Sequence, residues 1–273
     1  MCDIKGCGND GKLPPIRISN SDRRLFLKGL ASLPLATVLA YPELARAAAG
    51  GTQTVMLTTQ GGRDVSAAMA IPDTNEAPAI LLIHEWWGLN DQIRSVAVEL
   101  ANLGYLALAV DLYGGEVADS PDDARALMQK VDPTAATDIL VGWIDYLKKH
   151  SSSTGKVGTV GWCFGGGWSL NASLATPVDA TVIYYGNIKK TAADLASLQG
   201  PVLGHFATQD AWINSDMVSG FETAMQSAGK SELTLHWYEA DHAFANPTSA
   251  RYDADDAALS WKRTVEFFRQ NLG

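Results

Sequence analysis

The sequence predicts an α/β fold, a mostly parallel sheet with helices on both faces. Three features predict it. From residue 79 onward, short apolar runs alternate with stretches of helical period. Runs such as Ala79-Ile80-Leu81-Leu82-Ile83 are continuous rather than alternating, as in strands buried on both faces. Glycine and polar residues cluster just after these runs, where open parallel sheets build their sites. A length of 273 residues with no internal repeat fits one large domain. The 47% hydrophobic and 19% charged content is that of an ordinary globular protein. A formal net charge of −9 argues against a nucleic-acid partner.

In order, Thr52 to Thr58 and Asp64 to Ile71 read as two strands joined at Gly61-Gly62, an antiparallel opening hairpin. Ala79 to Ile83 is a central strand ending in His84-Glu85-Trp86-Trp87-Gly88. Asp91 to Leu103 is a helix with Ile93, Val96, Ala97 and Leu100 on one face. Gly104 to Val110 is a strand ending in Asp111-Leu112-Tyr113-Gly114-Gly115. An acidic loop with a short helix spans Glu116 to Asp132, and Pro133 to His150 is a helix. Gly155 to Val160 is a strand, and a helix is expected from Trp168. Strands at Asp179 to Tyr185, Pro201 to Ala207 and Glu232 to Tyr238 follow. Helices are expected over Asn214 to Ala228 and Ala250 to Asn271.

The amino terminus reads as an address rather than part of the fold. Arg23-Arg24-Leu25-Phe26-Leu27-Lys28 precedes a modestly apolar stretch, then Ala45-Arg46-Ala47, a small-x-small cleavage pattern. This resembles a twin-arginine export signal over 1–47, leaving a single domain over 48–273 in the periplasm or outside the cell. The twin-arginine (Tat) export machinery is then a partner. A membrane span needs roughly 20 apolar residues; Pro34 and Pro42 interrupt this one, so no membrane anchor is expected. Removing the segment discards Cys2 and Cys7 and leaves Cys163 as a lone thiol, without an intramolecular disulfide.

Cys163 lies in Gly161-Trp162-Cys163-Phe164-Gly165-Gly166-Gly167, between an apolar run and a helical stretch. A Gly-x-nucleophile-x-Gly turn between strand and helix resembles the nucleophile elbow of α/β-hydrolases. The nucleophile there has strained dihedrals, and the glycines relieve crowding. A buried structural cysteine is one competing reading. A phosphate-cradling loop is another, but no Lys-Ser or Lys-Thr pair closes the stretch.

Further along, Asp210 and His242 follow strands, giving the order nucleophile, acid, histidine of that superfamily. In such a triad the imidazole drives the thiol toward thiolate and later protonates the leaving group, while the carboxylate orients it. His84, His205 and His236 compete with His242, but none follows the last strand. Asp216 and Asp241 compete with Asp210; Asp241 abuts His242, and adjacent residues rarely face each other. No His-x-x-x-His or Cys-x-x-Cys pair suggests a metal, and no cofactor is implied.

Together, His84-Glu85-Trp86-Trp87-Gly88, Asp111-Leu112-Tyr113, Gly161-Trp162-Cys163-Phe164-Gly165-Gly166 and His242-Ala243-Phe244 resemble the dienelactone hydrolase family. The resemblance implies Cys163 as nucleophile, His242 as base and acid, Asp210 as its carboxylate, and Glu85 as the glutamate that interacts with the resting thiol. Backbone amides of Trp86 and of Phe164, which would start a helix whose dipole adds to the effect, would form the oxyanion hole. Trp87, Tyr113 and Trp212 would wall the substrate pocket. The family's best-known members hold a substrate carboxylate with arginines where this chain has Gly114-Gly115-Glu116 and Ala245-Asn246-Pro247. Glu116 would repel a carboxylate.

The expected activity is cofactor-free hydrolysis of small esters or lactones by a monomer, through a cysteinyl acyl-enzyme. A thioesterase or acyltransferase could use the same triad. A binding protein would need a broken triad, and a thiol redox protein would not need His242 and Asp210. If the amino terminus is a twin-arginine signal, replacing Arg23 and Arg24 together by lysine leaves the protein in the cytoplasm. Fractionation is the check, and undiminished export of the double variant would remove the signal assignment.

Overall fold

A computed structural model describes residues 42–273. The twin arginines and the apolar stretch of the expected export signal lie outside the described residues. The first element among the described residues is a helix, α1 (Pro42–Ala49), which the sequence reading did not foresee. Ala45, Ala48 and Ala49 are buried in it, and Ala45 O lies 2.6 Å from Ser95 Oγ. The Ala45-Arg46-Ala47 pattern therefore falls inside a packed helix.

Strands β1 (Gln53–Thr58) and β2 (Asp64–Ala70) form the expected antiparallel hairpin. β3 (Ala77–Ile83), β4 (Leu106–Val110), β5 (Ser153–Trp162), β6 (Ala180–Tyr184), β7 (Val202–Ala207) and β8 (Leu233–Tyr238) complete one eight-stranded sheet. Its order is β1-β2-β4-β3-β5-β6-β7-β8, and every pair from β4 to β8 is parallel. The helices are α2 (Asp91–Asn102), α3 (Pro121–Lys130), α4 (Pro133–Lys149), α5 (Phe164–Ala175), α6 (Ser215–Ser227) and α7 (Ala254–Leu272).

Strand alternation divides the core into layers. Ile80 and Leu82 of β3 pack with Ile93, Val96 and Leu100 of α2 and Phe268 of α7. Leu81 and Ile83 point the other way, into a layer with Leu140, Trp143 and Ile144 of α4. A third cluster joins Ile183 and Phe206 to Val218 and Phe221 of α6. Both faces of the sheet are covered, so the central strands need no polar side, which is why they read as unbroken apolar runs.

Connectivity fixes where the site sits. The chain leaves β3 through α2 to β4 on one side, then crosses to β5 on the other. The carboxyl ends of β3 and β5 therefore border the switch point where an open α/β sheet has its crevice. Five helices start on a polar cap: Asn90, Ser120, Asp132, Asn214 and Asp253 each accept a hydrogen bond from an amide of their helix. The cap position of α5 is instead Cys163, with no side-chain cap.

Helix α5 begins at Phe164, where the family resemblance puts a helix start and four residues before the stretch that reads as helix by itself, because the glycines are inside it. They let the helix lie directly on backbone. A methyl group on Gly165 would overlap the carbonyls of Ile83 and His84, and one on Gly161 would overlap the Gly165 carbonyl. A methyl group on Gly220, in α6, would meet nothing within 4 Å. Gly165→Ala should therefore destabilise the protein by about 3 kcal/mol, whereas Gly220→Ala should stabilise it by up to about 1 kcal/mol. Urea denaturation separates the two; equal midpoints would show that close packing of α5 is not a constraint.

Candidate active site

Four carboxyl-edge segments converge on one cleft. Cys163 leaves β5 with φ 55° and ψ −115°, and its amide donates to Tyr184 O at 3.0 Å. Such a φ is costly for a residue with a β-carbon. Tyr185 (φ 36°) and Ala243 (φ 66°) share it, so all three non-glycine residues of positive φ among those described border this cleft.

The backbone amides of Phe164 and Trp86 lie close enough to the Cys163 sulfur to favour its thiolate. No hydrogen bond joins the sulfur to His242 among the described residues. Burial, and then the negative charge of Glu85, push the thiol up to about 12, against the pull of the two amides.

His242 follows β8 and points Nδ1 at Asp210 Oδ2, 2.6 Å away. The other carboxylate oxygen of Asp210 accepts from the amides of Trp212 and Ile213, at 2.8 and 3.0 Å. Burial would raise the Asp210 carboxyl, but His242 and these amides outweigh it and hold it below its ordinary value. Asp210 thus remains an anion that fixes His242 with Nδ1–H toward it and Nε2 free. Asp241 instead accepts from the His242 amide at 2.6 Å, and Asp216 lies in the first turn of α6.

Glu85 is buried at the end of β3. It accepts from Asn246 Nδ2 at 2.5 Å and, weakly, from the Tyr185 hydroxyl at 3.4 Å. Burial raises its carboxyl; Asn246, His242, Tyr185 and Arg251 only partly oppose this. The neighbouring His84 is a brace. It donates from Nδ1 to Glu85 O at 2.5 Å and accepts from Leu112 N at 3.2 Å, tying β3 to β4. Burial lowers its pKa to about 4, so it stays neutral.

A family model described as the dienelactone hydrolase family matches residues 65–272, nearly the whole described fold. The chain belongs to the dienelactone hydrolase family. It is accordingly an enzyme of the carboxylic ester hydrolase class. Protein usf of Aquifex pyrophilus is 32% identical over 207 residues, covering 71% of this chain and 89% of that protein. A carboxymethylenebutenolidase of Pseudomonas putida is 30% identical over 231 residues, covering 79% and 95%. A solved Klebsiella pneumoniae structure, assigned as a dienelactone hydrolase, has 26% identity and a TM-score of 0.69, covering 80% of this chain and 99% of its own.

Within this dienelactone hydrolase fold, the cleft has a volume of about 1000 Å³. Cys163, His242, Glu85, Trp86, Phe164, Trp87 and Trp212 all line it. Tyr113 does not. Its ring packs edge-on against His84, with centroids 4.7 Å apart, and beside Phe164, so it supports the elbow from below the pocket. Glu116 is also absent from the lining, so it would not touch a substrate bound there. His205 is held away from the cleft between Tyr238 Oη and Thr264 Oγ1, and His236 stacks on it.

The sequence reading missed several lining residues: Trp168, Tyr185, Lys189, Lys190 and Arg251. Tyr185 and the lysines follow β6 on the carboxyl edge, a position that could have flagged them. Arg251 had no sequence signal; it comes in through a loop, donates Nε–H to His242 O at 2.8 Å and lies 5.4 Å over the Trp212 ring.

A thiol at about 12 leaves roughly one thiolate in 10⁴ at pH 8. Iodoacetamide should therefore label resting Cys163 slowly, with a rate that climbs with pH and shows no plateau below pH 10. A plateau near neutrality would mean a resting thiolate. Glu85→Gln removes the second cause of the shift but not burial, so labelling should speed up several-fold without reaching the rate of an exposed thiol.

Proposed function

We propose that this enzyme hydrolyses small esters or lactones through an acyl-enzyme on Cys163. The observation that carries the proposal is the convergence, in one cleft, of a strained thiol between two amides and an Asp210-His242 pair at 2.6 Å. Substrate entering the cleft displaces Glu85 from the thiol's surroundings, and the sulfur passes its proton to His242, directly or by way of the freed carboxylate. Either base is near enough to interact electrostatically with the other. The thiolate attacks the carbonyl carbon, forming the C–S bond. The carbonyl oxygen, now negative, takes the place of the sulfur between the Trp86 and Phe164 amides, at the positive end of α5. His242 protonates the leaving alkoxide as the C–O bond breaks, leaving a thioester. Water, deprotonated by His242, attacks that thioester; the C–S bond breaks, the departing thiolate takes the proton back from His242, and a carboxylic acid is released.

The substrate reading follows from the walls. Trp86, Trp87, Trp168 and Trp212 give the cleft an aromatic lining suited to planar rings. Lys189, Lys190 and Arg251 supply the positive charge that Asn246 lacks, and Glu85 is the one acidic group in the lining. Esters or lactones carrying a carboxylate are therefore compatible with this site despite the missing arginines. Twin-arginine export and a periplasmic or secreted location remain part of the proposal, supported by Arg23-Arg24 and Ala45-Arg46-Ala47. A thiol kept protonated by its surroundings also suits an oxidising compartment.

The test is turnover of an aryl ester and a lactone. Cys163→Ala and His242→Ala should each lose more than about 10³-fold in kcat with the fold intact, and combining them should cost little more. Asp210→Asn should lose activity without unfolding the protein. Ester turnover surviving in Cys163→Ala would overturn the mechanism.

A further inference from the structure

A second cavity lies behind the first. It has a volume of about 310 Å³ and opens between α2, α7 and the loop that follows His242. Glu85 and Tyr185 line both spaces, so they form the partition. Its chemistry is opposite to that of the catalytic cleft. The cleft has three cationic side chains in its lining; this cavity has none, and its charged residues are Glu85 and Glu99. Aromatic rings supply much of the remaining wall, among them Trp162, Tyr184 and Trp261.

Glu99, on α2, is half-buried, and no ion pair among the described residues involves it. Burial raises its carboxyl, and a hydrogen bond from Asn102 compensates only in part. A carboxylate in that setting gains most from a cation brought into the cavity. Aromatic rings attract cations through their faces, most strongly where water is excluded. No group of three or more His, Cys, Asp or Glu side chains that could hold a metal ion occurs among the described residues, here included. An anionic ester or its acid product is repelled by the same carboxylates.

From the cavity, its aromatic wall and its two carboxylates with no cationic side chain in the lining, we propose that this space is a binding site for a small organic ammonium ion. The site goes beyond the hydrolase reading and does not depend on Cys163 chemistry. It places its occupant against the back of Glu85, the carboxylate that faces the thiol from the other side.

The experiment is a calorimetric titration of the intact protein with tetramethylammonium chloride, at ionic strength held constant with sodium chloride. tert-Butanol serves as the uncharged probe of similar shape. The proposal expects saturable tetramethylammonium binding, at least tenfold tighter than tert-butanol. Glu99→Gln should weaken it at least fivefold, as should Trp261→Leu, while Trp212→Leu, in the catalytic cleft, should leave it unchanged. Circular dichroism checks each fold; if Trp261→Leu unfolds, the half-buried Glu99→Gln decides. Equal affinity for the neutral alcohol, an unaffected Glu99→Gln variant, or loss of binding in Trp212→Leu would each overturn the proposal.

Discussion

The site depends on the seating of α5 against the ends of β3, β5 and β6. Gly161 and Gly165 allow a helix to start in contact with strand backbone, at a distance no side chain permits. That contact forces the chain at Cys163 through φ 55°, and the surrounding sheet holds it there. Two consequences matter for chemistry. The thiol stands at the first turn of a helix whose amides have no side-chain cap. The β3 end, pressed under the same helix, brings the Trp86 amide and the Glu85 carboxylate to the sulfur. One packing contact therefore brings together the thiol, the two amides and a neighbouring carboxyl group.

The electrostatics then oppose reactivity at rest. Burial and Glu85 both disfavour the thiolate, and the positively polarised amides do not compensate. The His242-Asp210 pair is ready, since Asp210 is held ionised, but it is not hydrogen-bonded to the sulfur. Asn246 matters here because it is neutral. A cation in its place would hold Glu85 more firmly as an anion; the amide leaves burial as the largest influence on that carboxyl. The resting arrangement is a protonated thiol, and the mechanism proposed above has the substrate rearrange its surroundings.

Much of this was legible in the sequence, for identifiable reasons. Parallel strands buried on both faces leave unbroken apolar runs, so β3 and β4 could be read directly. The elbow was legible because its sterics demand glycine at fixed positions. Asp210 and His242 were legible from their places after strands. Three things were not. The glycine run reads as a turn on helix propensity alone, and only the family resemblance put a helix start at Phe164; tertiary close packing is what selects helix there. Tyr113 looked like a pocket wall, since an aromatic after a strand end usually is; the sequence gives no sign that it turns onto His84. Arg251 enters from a loop after Ala243 of positive φ, and no spacing rule places such a residue.

The covalent intermediate is the claim on which the mechanism rests, and mass spectrometry reads it directly. Purified protein mixed with an aryl ester should be quenched in acid within milliseconds, then weighed intact and after digestion. The account predicts a species heavier by one acyl group, located on the peptide containing Cys163, that decays as acid product appears. Ester turnover at full rate with no acyl group on Cys163 at any time, or an acyl group on another residue, would contradict it.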